Sequence, residues 1–321
     1  MAVRVALLDD YQQVALSMGD WSAIPEAEVV AFPDHQGDPD ELVTRLSGFD
    51  VVVAMRERTA LPATVLQRLP DLKLLITTGM GNAVVDIAAA AAAGVTVCGT
   101  SGNITSTVEL TWGLILSLLR HIPQEDSGLR RGGWQQTLGT GIAGRRLGVV
   151  GLGNIGTLVA RVGQAFGMEV VAWSRHLTDE RASKAGVQAV SKDVLFSTAD
   201  IVSVHYVLSE TSRGLVDRDD LAGMKPTAVL INTSRGPLVE EAALVQALEE
   251  GWIAGAGLDV FVQEPLPSDH PLRRCPTTVL TPHLGYVTDD CYRIFYDHIV
   301  EDVAAWLKGQ PVRVLAAPDT A

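Results

Sequence analysis

The stretch Leu147-Gly-Val-Val-Gly-Leu-Gly-Asn-Ile-Gly156 constrains this chain more than any other. The apolar run Leu147–Val150 reads as a buried strand. It leads directly into Gly151, Gly153 and Gly156, spaced G-x-G-x-x-G, and then into Ile155, Leu158, Val159, Val162 and Phe166 at helical spacing. Glycines alone could form an ordinary tight turn. Strand, glycine turn and helix in this order form a dinucleotide-binding fingerprint. Gly151 permits the turn, Gly153 lets backbone approach a pyrophosphate, and Gly156 lets helix and strand pack closely, with Asn154 and Ile155 inside the turn. The helix start then offers free N–H groups and a positive dipole end to the phosphates.

The 321 residues leave room for two domains, and 47% hydrophobic content is ample for their cores. The net charge of −13, with no basic block, argues against nucleic acid and anionic membranes as partners. Cys98, Cys275 and Cys291 are few, odd in number and widely spaced, which fits a reducing compartment. The N-terminus turns acidic at Asp9-Asp10, too soon for a signal peptide, and reads as a first strand. The longest apolar run, Leu110–Leu119, is interrupted by Thr111, Trp112 and Ser117 and is too short to span a membrane. A cytoplasmic location is expected.

Short β-branched runs alternate with helical patterns, the signature of parallel α/β architecture. Strands are predicted at Val3–Leu8, Val29–Phe32, Val51–Ala54, Leu74–Thr77 and Val95–Cys98, with helices at Pro39–Leu46, Pro62–Leu69 and Asp86–Ala93. A long helix follows at Thr105–Leu119, then a Gly/Arg-rich segment through Arg146. A second strand series is predicted at Leu147–Val150, Glu169–Trp173, Ile201–Val204, Ala228–Asn232, Gly255–Leu258 and Val279–Thr281. Its helices fall at Ile155–Phe166 and Leu238–Glu250. The final helix, Asp289–Leu307, is read as having no strand after it, and Ala316–Ala321 as frayed.

Three charged residues lie just past predicted strand ends of the second series, where open α/β sheets bind ligands. Arg235, in Asn232-Thr-Ser-Arg-Gly-Pro, could cap a helix, but its fork of N–H donors also matches a carboxylate. Glu264 precedes a proline and could simply be solvated. His283 lies in Thr281-Pro-His-Leu-Gly and could be a packed loop residue, yet histidine is the side chain suited to proton transfer near neutrality. Together they suit reduction of a 2-keto acid, which needs a hydride, a proton donor and a holder for the carboxylate.

In these motifs, and in Gly257-Leu-Asp-Val-Phe, the chain resembles the D-isomer-specific 2-hydroxyacid dehydrogenases over almost its whole length. The resemblance implies two Rossmann-like or flavodoxin-like doubly wound parallel-sheet α/β domains with the active site in the cleft between them. The substrate domain would be 1–100 plus 286–321, and the dinucleotide domain 101–285. It implies that Arg235 binds the substrate carboxylate, that Glu264 orients His283, and that His283 is the acid/base. It places Asp259 at the nicotinamide carboxamide and Thr107 and Thr233 beside the nicotinamide. His205 and Val207 border the adenosine, although the proline usual in that segment is missing here. On the substrate side it places Arg56 and the loop Gly79-Met80-Gly81. No metal is implied. A homodimer through the dinucleotide domain, using 105–146, is expected.

The second strand of the dinucleotide unit ends Val170-Val-Ala-Trp-Ser-Arg-His176. NAD enzymes commonly place Asp or Glu here, bonded to the ribose 2′-hydroxyl. Ser174 stands there instead, and Arg175 could bind a 2′-phosphate, so NADP(H) is favoured and NAD(H) is the alternative. A reductive role on glyoxylate or hydroxypyruvate follows. A phosphoglycerate dehydrogenase-like activity is the alternative, against which stands the lack of further sequence after Trp306-Leu-Lys-Gly for a regulatory domain. A corepressor-like dinucleotide sensor is the alternative of a different class.

Overall fold

The computed structural model describes residues 2–318 and divides into two units. One runs through Asn103 and resumes at Thr288; the other is Ile104–Val287. The first unit opens with β1 (Val3–Leu7), α1 (Ala15–Met18), β2 (Ala27–Ala31), α2 (Pro39–Leu46), β3 (Val51–Ala54), α3 (Ala63–Leu66), β4 (Leu74–Thr77), α4 (Ile87–Ala92) and β5 (Thr96–Gly99). These strands lie parallel in the order β2-β1-β3-β4-β5. Every residue of β3 and β4 is buried, as a strand covered on both faces requires. Local chemistry sets the helix starts: the Asp38 carboxylate accepts from the N–H groups of Asp40 and Glu41, and Pro39 occupies the first turn of α2.

The second unit begins with α5 (Thr105–Leu119) and α6 (Ile122–Arg130). It continues through β6 (Arg146–Val150), α7 (Asn154–Ala165), β7 (Glu169–Trp173), α8 (Asp179–Lys184), β8 (Gln188–Ala189), α9 (Lys192–Thr198), β9 (Ile201–Val204) and α10 (Arg218–Ala222). It ends with β10 (Val229–Asn232), α11 (Glu241–Glu249), β11 (Gly255–Leu258) and β12 (Thr278–Leu280). The seven strands are parallel, in the order β12-β11-β10-β9-β6-β7-β8. Strand order reverses at β6 and β9, the point at which such sheets open a crevice at their carboxyl edge. Side chains alternate into two cores. Val150, Val171, Val202 and Leu230 face one layer, and Val149, Ala172, Ile201 and Ile231 the other. On the second face Trp112 of α5 packs against Phe166 with ring centroids 5.1 Å apart.

The chain then returns to the first unit with α12 (Asp289–Leu307) and β13 (Val314–Ala316). The last helix therefore does have a strand after it. Strand β13 pairs antiparallel with β5, Val314 opposite Cys98, and makes the first sheet six-stranded. Three residues flanked by Pro311 and Pro318 leave no alternating pattern to read, so edge pairing decides the conformation. The expected fraying is corrected at Ala316, which is in the strand, while residues 319–321 lie outside the described residues. The helix expected from Leu238 begins instead at Glu241. Gly236–Leu238 form a 3-10 turn, and Val239 is extended and bridges Val216. Among the described residues no helix is long and apolar enough to cross a membrane.

Candidate active site

At the carboxyl edge of the second sheet, the turns after β10, β11 and β12 hold the candidate acid/base set. His283 has φ of 55°, the left-handed region that costs a non-glycine residue roughly 1–3 kcal/mol and persists only where its surroundings impose it. The surroundings here are Asp259. Its carbonyl accepts from the His283 N–H at 2.8 Å. Its carboxylate Oδ1 accepts from the Thr281 hydroxyl at 2.6 Å and the Leu284 N–H at 2.7 Å, and Oδ2 from the Gly285 N–H at 2.9 Å. Burial pushes the Asp259 carboxyl upward, while the Thr281 hydroxyl, the backbone donors and the nearby His283 pull it down. A carboxylate offers about four acceptor sites. Three are filled, and one on Oδ2 is left over.

His283 Nδ1 lies 2.6 Å from Glu264 Oε2, and Glu264 Oε1 accepts from the Phe261 N–H at 2.9 Å. Both carboxylate oxygens are thus engaged, which fixes the imidazole plane and leaves Nε2 as the other ring nitrogen. Tyr286 sits edge-on to the ring at 5.5 Å. Arg235 follows β10 in extended backbone, its Nη1 donating to the Ser234 carbonyl at 2.7 Å and its own carbonyl accepting from Asn232 Nδ2 at 2.9 Å. Gly236 makes the approach of this turn to the Glu264 segment feasible, since a Cβ there would lie 2.0 Å from the Phe261 carbonyl carbon.

The glycine turn after β6 fits a bound pyrophosphate. Gly151 has φ of 98° and touches the His205 carbonyl, where a Cβ would come to 2.4 Å. A Cβ on Gly156 would lie 2.1 Å from the Gly151 carbonyl oxygen, so this position tolerates no side chain. A Cβ on Gly153 would meet nothing within 4 Å. Gly153 is the N-cap of α7 and supplies no side-chain cap, which leaves the N–H groups at Asn154, Ile155 and beyond able to donate outward. Ser174 Oγ accepts from the Leu152 N–H at 2.9 Å and so braces this loop. The exposed Arg175 donates through Nη2 to the Thr211 carbonyl at 3.1 Å, linking the end of β7 to the loop after β9. In that loop Val207 is exposed, and His205 Nε2 lies 2.8 Å from Ser203 Oγ. Burial pushes the His205 pKa down to about 4, so this ring is neutral at pH 7.

Thr107 on α5 donates its hydroxyl to the Gly285 carbonyl at 2.9 Å, and Thr233 at the end of β10 lies 2.8 Å from the Thr111 hydroxyl. Neither Thr111 nor Thr281 is marked by the sequence as a site residue. Thr111 stands four residues after Thr107, one helical turn along, and that spacing was the available signal.

The remaining expected residues belong to the first unit. Arg56 (φ of 50°) follows β3, its Nη1 donating to the Thr78 carbonyl at 3.0 Å and its N–H to Thr78 Oγ1 at 2.8 Å. Gly79 makes room for that guanidinium, since a Cβ would fall 1.8 Å from Nη1. Met80 is 57% exposed, and Gly81 has open space where a side chain would be, so this loop after β4 presents backbone to its surroundings.

A strand–glycine–helix turn beside a His–Glu pair and a strand-end arginine defines a dinucleotide-dependent oxidoreductase site, and similarity to known proteins agrees. The NAD binding domain of the D-isomer specific 2-hydroxyacid dehydrogenases matches residues 112–285, and the chain belongs to that family. It is 38% identical over 276 residues to a D-3-phosphoglycerate dehydrogenase of Bacillus subtilis, a match covering 85% of this chain and 51% of the relative. The chain thus spans about half the length of the phosphoglycerate dehydrogenases it matches. It is 33% identical to a glyoxylate reductase of Korarchaeum cryptofilum, over 84% of this chain and 83% of the relative. The crystal structure of a phosphoglycerate oxidoreductase from Vibrio cholerae superposes with a TM-score of 0.92 at 36% identity, covering 96% of this chain and 99% of the other.

Proposed function

We propose that this protein is a D-2-hydroxyacid dehydrogenase that works as a reductase of small 2-keto acids, glyoxylate or hydroxypyruvate, with NADP(H) preferred over NAD(H). The observation that carries the reading is the 2.6 Å pairing of His283 Nδ1 with a Glu264 carboxylate that is itself held by the Phe261 N–H. The dinucleotide, when bound, supplies the hydride. Gly151, Gly153, Asn154, Ile155 and Gly156 would hold its pyrophosphate, His205 and Val207 would border the adenosine, and Thr107, Thr233 and Asp259 would hold the nicotinamide end. Ser174 and Arg175 would read the ribose: Ser174 stands where NAD enzymes commonly place Asp or Glu, and the Arg175 guanidinium would offer a 2′-phosphate a counter-charge.

His283 then delivers a proton from Nε2 to the carbonyl oxygen as it gains charge. Glu264, bonded to Nδ1, holds the ring and fixes which nitrogen faces the substrate. Arg235 grips the substrate carboxylate and polarises the carbonyl through its fork of donors. Arg56, Met80 and Gly81 are the candidate substrate-side residues of the first unit. The protein is expected in the cytoplasm as a homodimer joined through 105–146, where Trp134 and Leu138 are 76% and 92% exposed.

The test is initial rates with glyoxylate and hydroxypyruvate, each with NADPH and NADH. Faster turnover with NADPH supports the whole reading. Faster turnover with NADH overturns the role of Arg175 and keeps the chemistry. Turnover of 3-phosphohydroxypyruvate alone makes the chain phosphoglycerate dehydrogenase-like. Tight dinucleotide binding without turnover of any keto acid makes it a sensor.

A further inference from the structure

The segment that carries Glu264 has few donors with which to hold its own shape. It runs without strand or helix from the end of β11 to the 3-10 turn Pro271–Arg274, and Pro265, Pro267 and Pro271 have no N–H to give. Within it, the Phe261 N–H donates to Glu264 Oε1 at 2.9 Å and the His270 N–H to the Pro267 carbonyl at 3.2 Å. The stretch directly after Glu264 is closed by Arg273. Its Nη2 donates to the Leu266 carbonyl at 2.6 Å and its Nε to the Pro267 carbonyl at 2.8 Å. This is the guanidinium edge that ordinarily takes both oxygens of a carboxylate. Here it takes two successive backbone carbonyls, two and three residues past Glu264.

The base of this clamp is fixed. Leu272, the neighbour of Arg273, is 2% exposed in the core of the second unit. Thr278 at the start of β12 donates to the Leu272 carbonyl at 3.3 Å, and the Arg273 N–H donates to the His270 carbonyl at 3.0 Å. On the other flank Glu241 of α11 lies 3.4 Å from the Val262 N–H and 3.3 Å from His270 Nε2. Those contacts are longer than the usual N–H···O range, whereas the Arg273 pair is short. Small movements matter at this place. Glu264 Oε2 lies 2.6 Å from His283 Nδ1, and a shift of about 1 Å would take it out of hydrogen-bond reach.

We propose that Arg273 is a positioning residue: its grip on the Leu266 and Pro267 carbonyls fixes the backbone after Glu264 and so keeps that carboxylate on His283. This rests on the reading of Glu264 as the group that orients His283. Arg273 acts through Glu264 and not on the reacting atoms.

The experiment is a double-mutant cycle on kcat, run with NADPH and whichever of glyoxylate, hydroxypyruvate and 3-phosphohydroxypyruvate wild type turns over. Arg273→Ala should lower kcat by about three- to tenfold, with keto-acid KM and calorimetric NADPH Kd changed by less than about twofold. In a Glu264→Ala chain the same substitution should leave kcat unchanged, because the group it positions is gone. Arg273→Lys keeps the charge and the stem but not the fork, and runs the same cycle if Arg273→Ala fails to fold. Full kcat in these single variants, or an equal fold-loss with and without Glu264, overturns the proposal and leaves the Glu264 reading standing. Wild-type kcat in Glu264→Ala alone overturns that reading and the proposal with it. Turnover of none of the three keto acids by wild type overturns both.

Discussion

The two sheets start alike and are finished differently. Each begins with a buried parallel strand, β1 or β6, that turns at the carboxyl edge into a helix at the point where strand order reverses. After β6 the turn is Gly151–Gly153, the helix has no side-chain cap, and open space lies beyond Gly153. After β1 the chain reads Asp9-Asp10-Tyr11, and the Asp10 carboxylate accepts from the N–H groups of Val14 and Ala15 at 3.0 and 3.1 Å, at the start of α1. In the first unit a carboxylate of the chain itself takes up the N–H groups at the helix start, and in the second no side chain does. The same local strand order thus produces one helix start filled by the chain's own carboxylate and one left open, and a single side chain makes the difference.

His283→Ala should lower kcat by about 10²- to 10⁴-fold with the dinucleotide Kd nearly unchanged, measured by steady-state rates beside calorimetry. Full activity in that variant would remove the second unit's claim to the chemistry.

The units should also differ in how they respond to pH. In the first, Asp302 on α12 is fully buried, with Oδ1 3.0 Å from Arg313 Nη2 and Oδ2 without a hydrogen-bond partner among the described residues, and burial raises its pKa to about 7. A raised folded pKa binds protons more strongly than the unfolded chain does. Its contribution is therefore full below the unfolded carboxylate range and is lost as pH rises towards 7. In the second unit, the depressed pKa of His205 gives the opposite sign: its contribution is present above the ordinary histidine range and is lost as pH falls towards 4. Denaturant unfolding from pH 5 to 8 should show wild type losing on the order of 2 kcal/mol relative to Asp302→Asn. Parallel pH profiles for the two proteins would refute the assignment.

Arg175→Ala should lower the NADPH-over-NADH preference in kcat/KM by about tenfold, as loss of a charged hydrogen bond would. An unchanged ratio would leave Arg175 as a brace to Thr211 only. The smallest effect is expected at the plug. Asp10→Ala should destabilise the chain by about 1 kcal/mol in urea unfolding without altering dinucleotide affinity.

The sequence read best where burial dictates pattern. The ranges of β3, β4, β7, β9 and β11, and of α2, α5 and α12, coincide with the runs read for them, because a strand covered on both faces or a long amphipathic helix leaves an uninterrupted signal. It read worst where tertiary contact decides. Strand β8 has two residues and β13 three, and α8 (Asp179–Lys184) buries only Ala182. At the candidate site, residue types and motif order pointed to Arg235, Glu264 and His283. The left-handed backbone of His283 and the Asp259 clamp behind it are properties of a folded turn that no spacing reveals. Thr111 was hidden for another reason. Inside an apolar helix, a threonine that satisfies its hydroxyl on the preceding turn looks like filler.

The most direct measurement transplants the first unit's plug into the second: calorimetric titration of NADPH into wild type and Gly153→Asp. A carboxylate at the N-cap of α7 would accept from the same N–H groups that the pyrophosphate needs and would repel it. The account predicts that Kd rises by about 10²-fold while the melting temperature holds or increases. Undiminished binding by a folded Gly153→Asp protein would contradict it, because the open helix end after β6 would then not be where the dinucleotide binds.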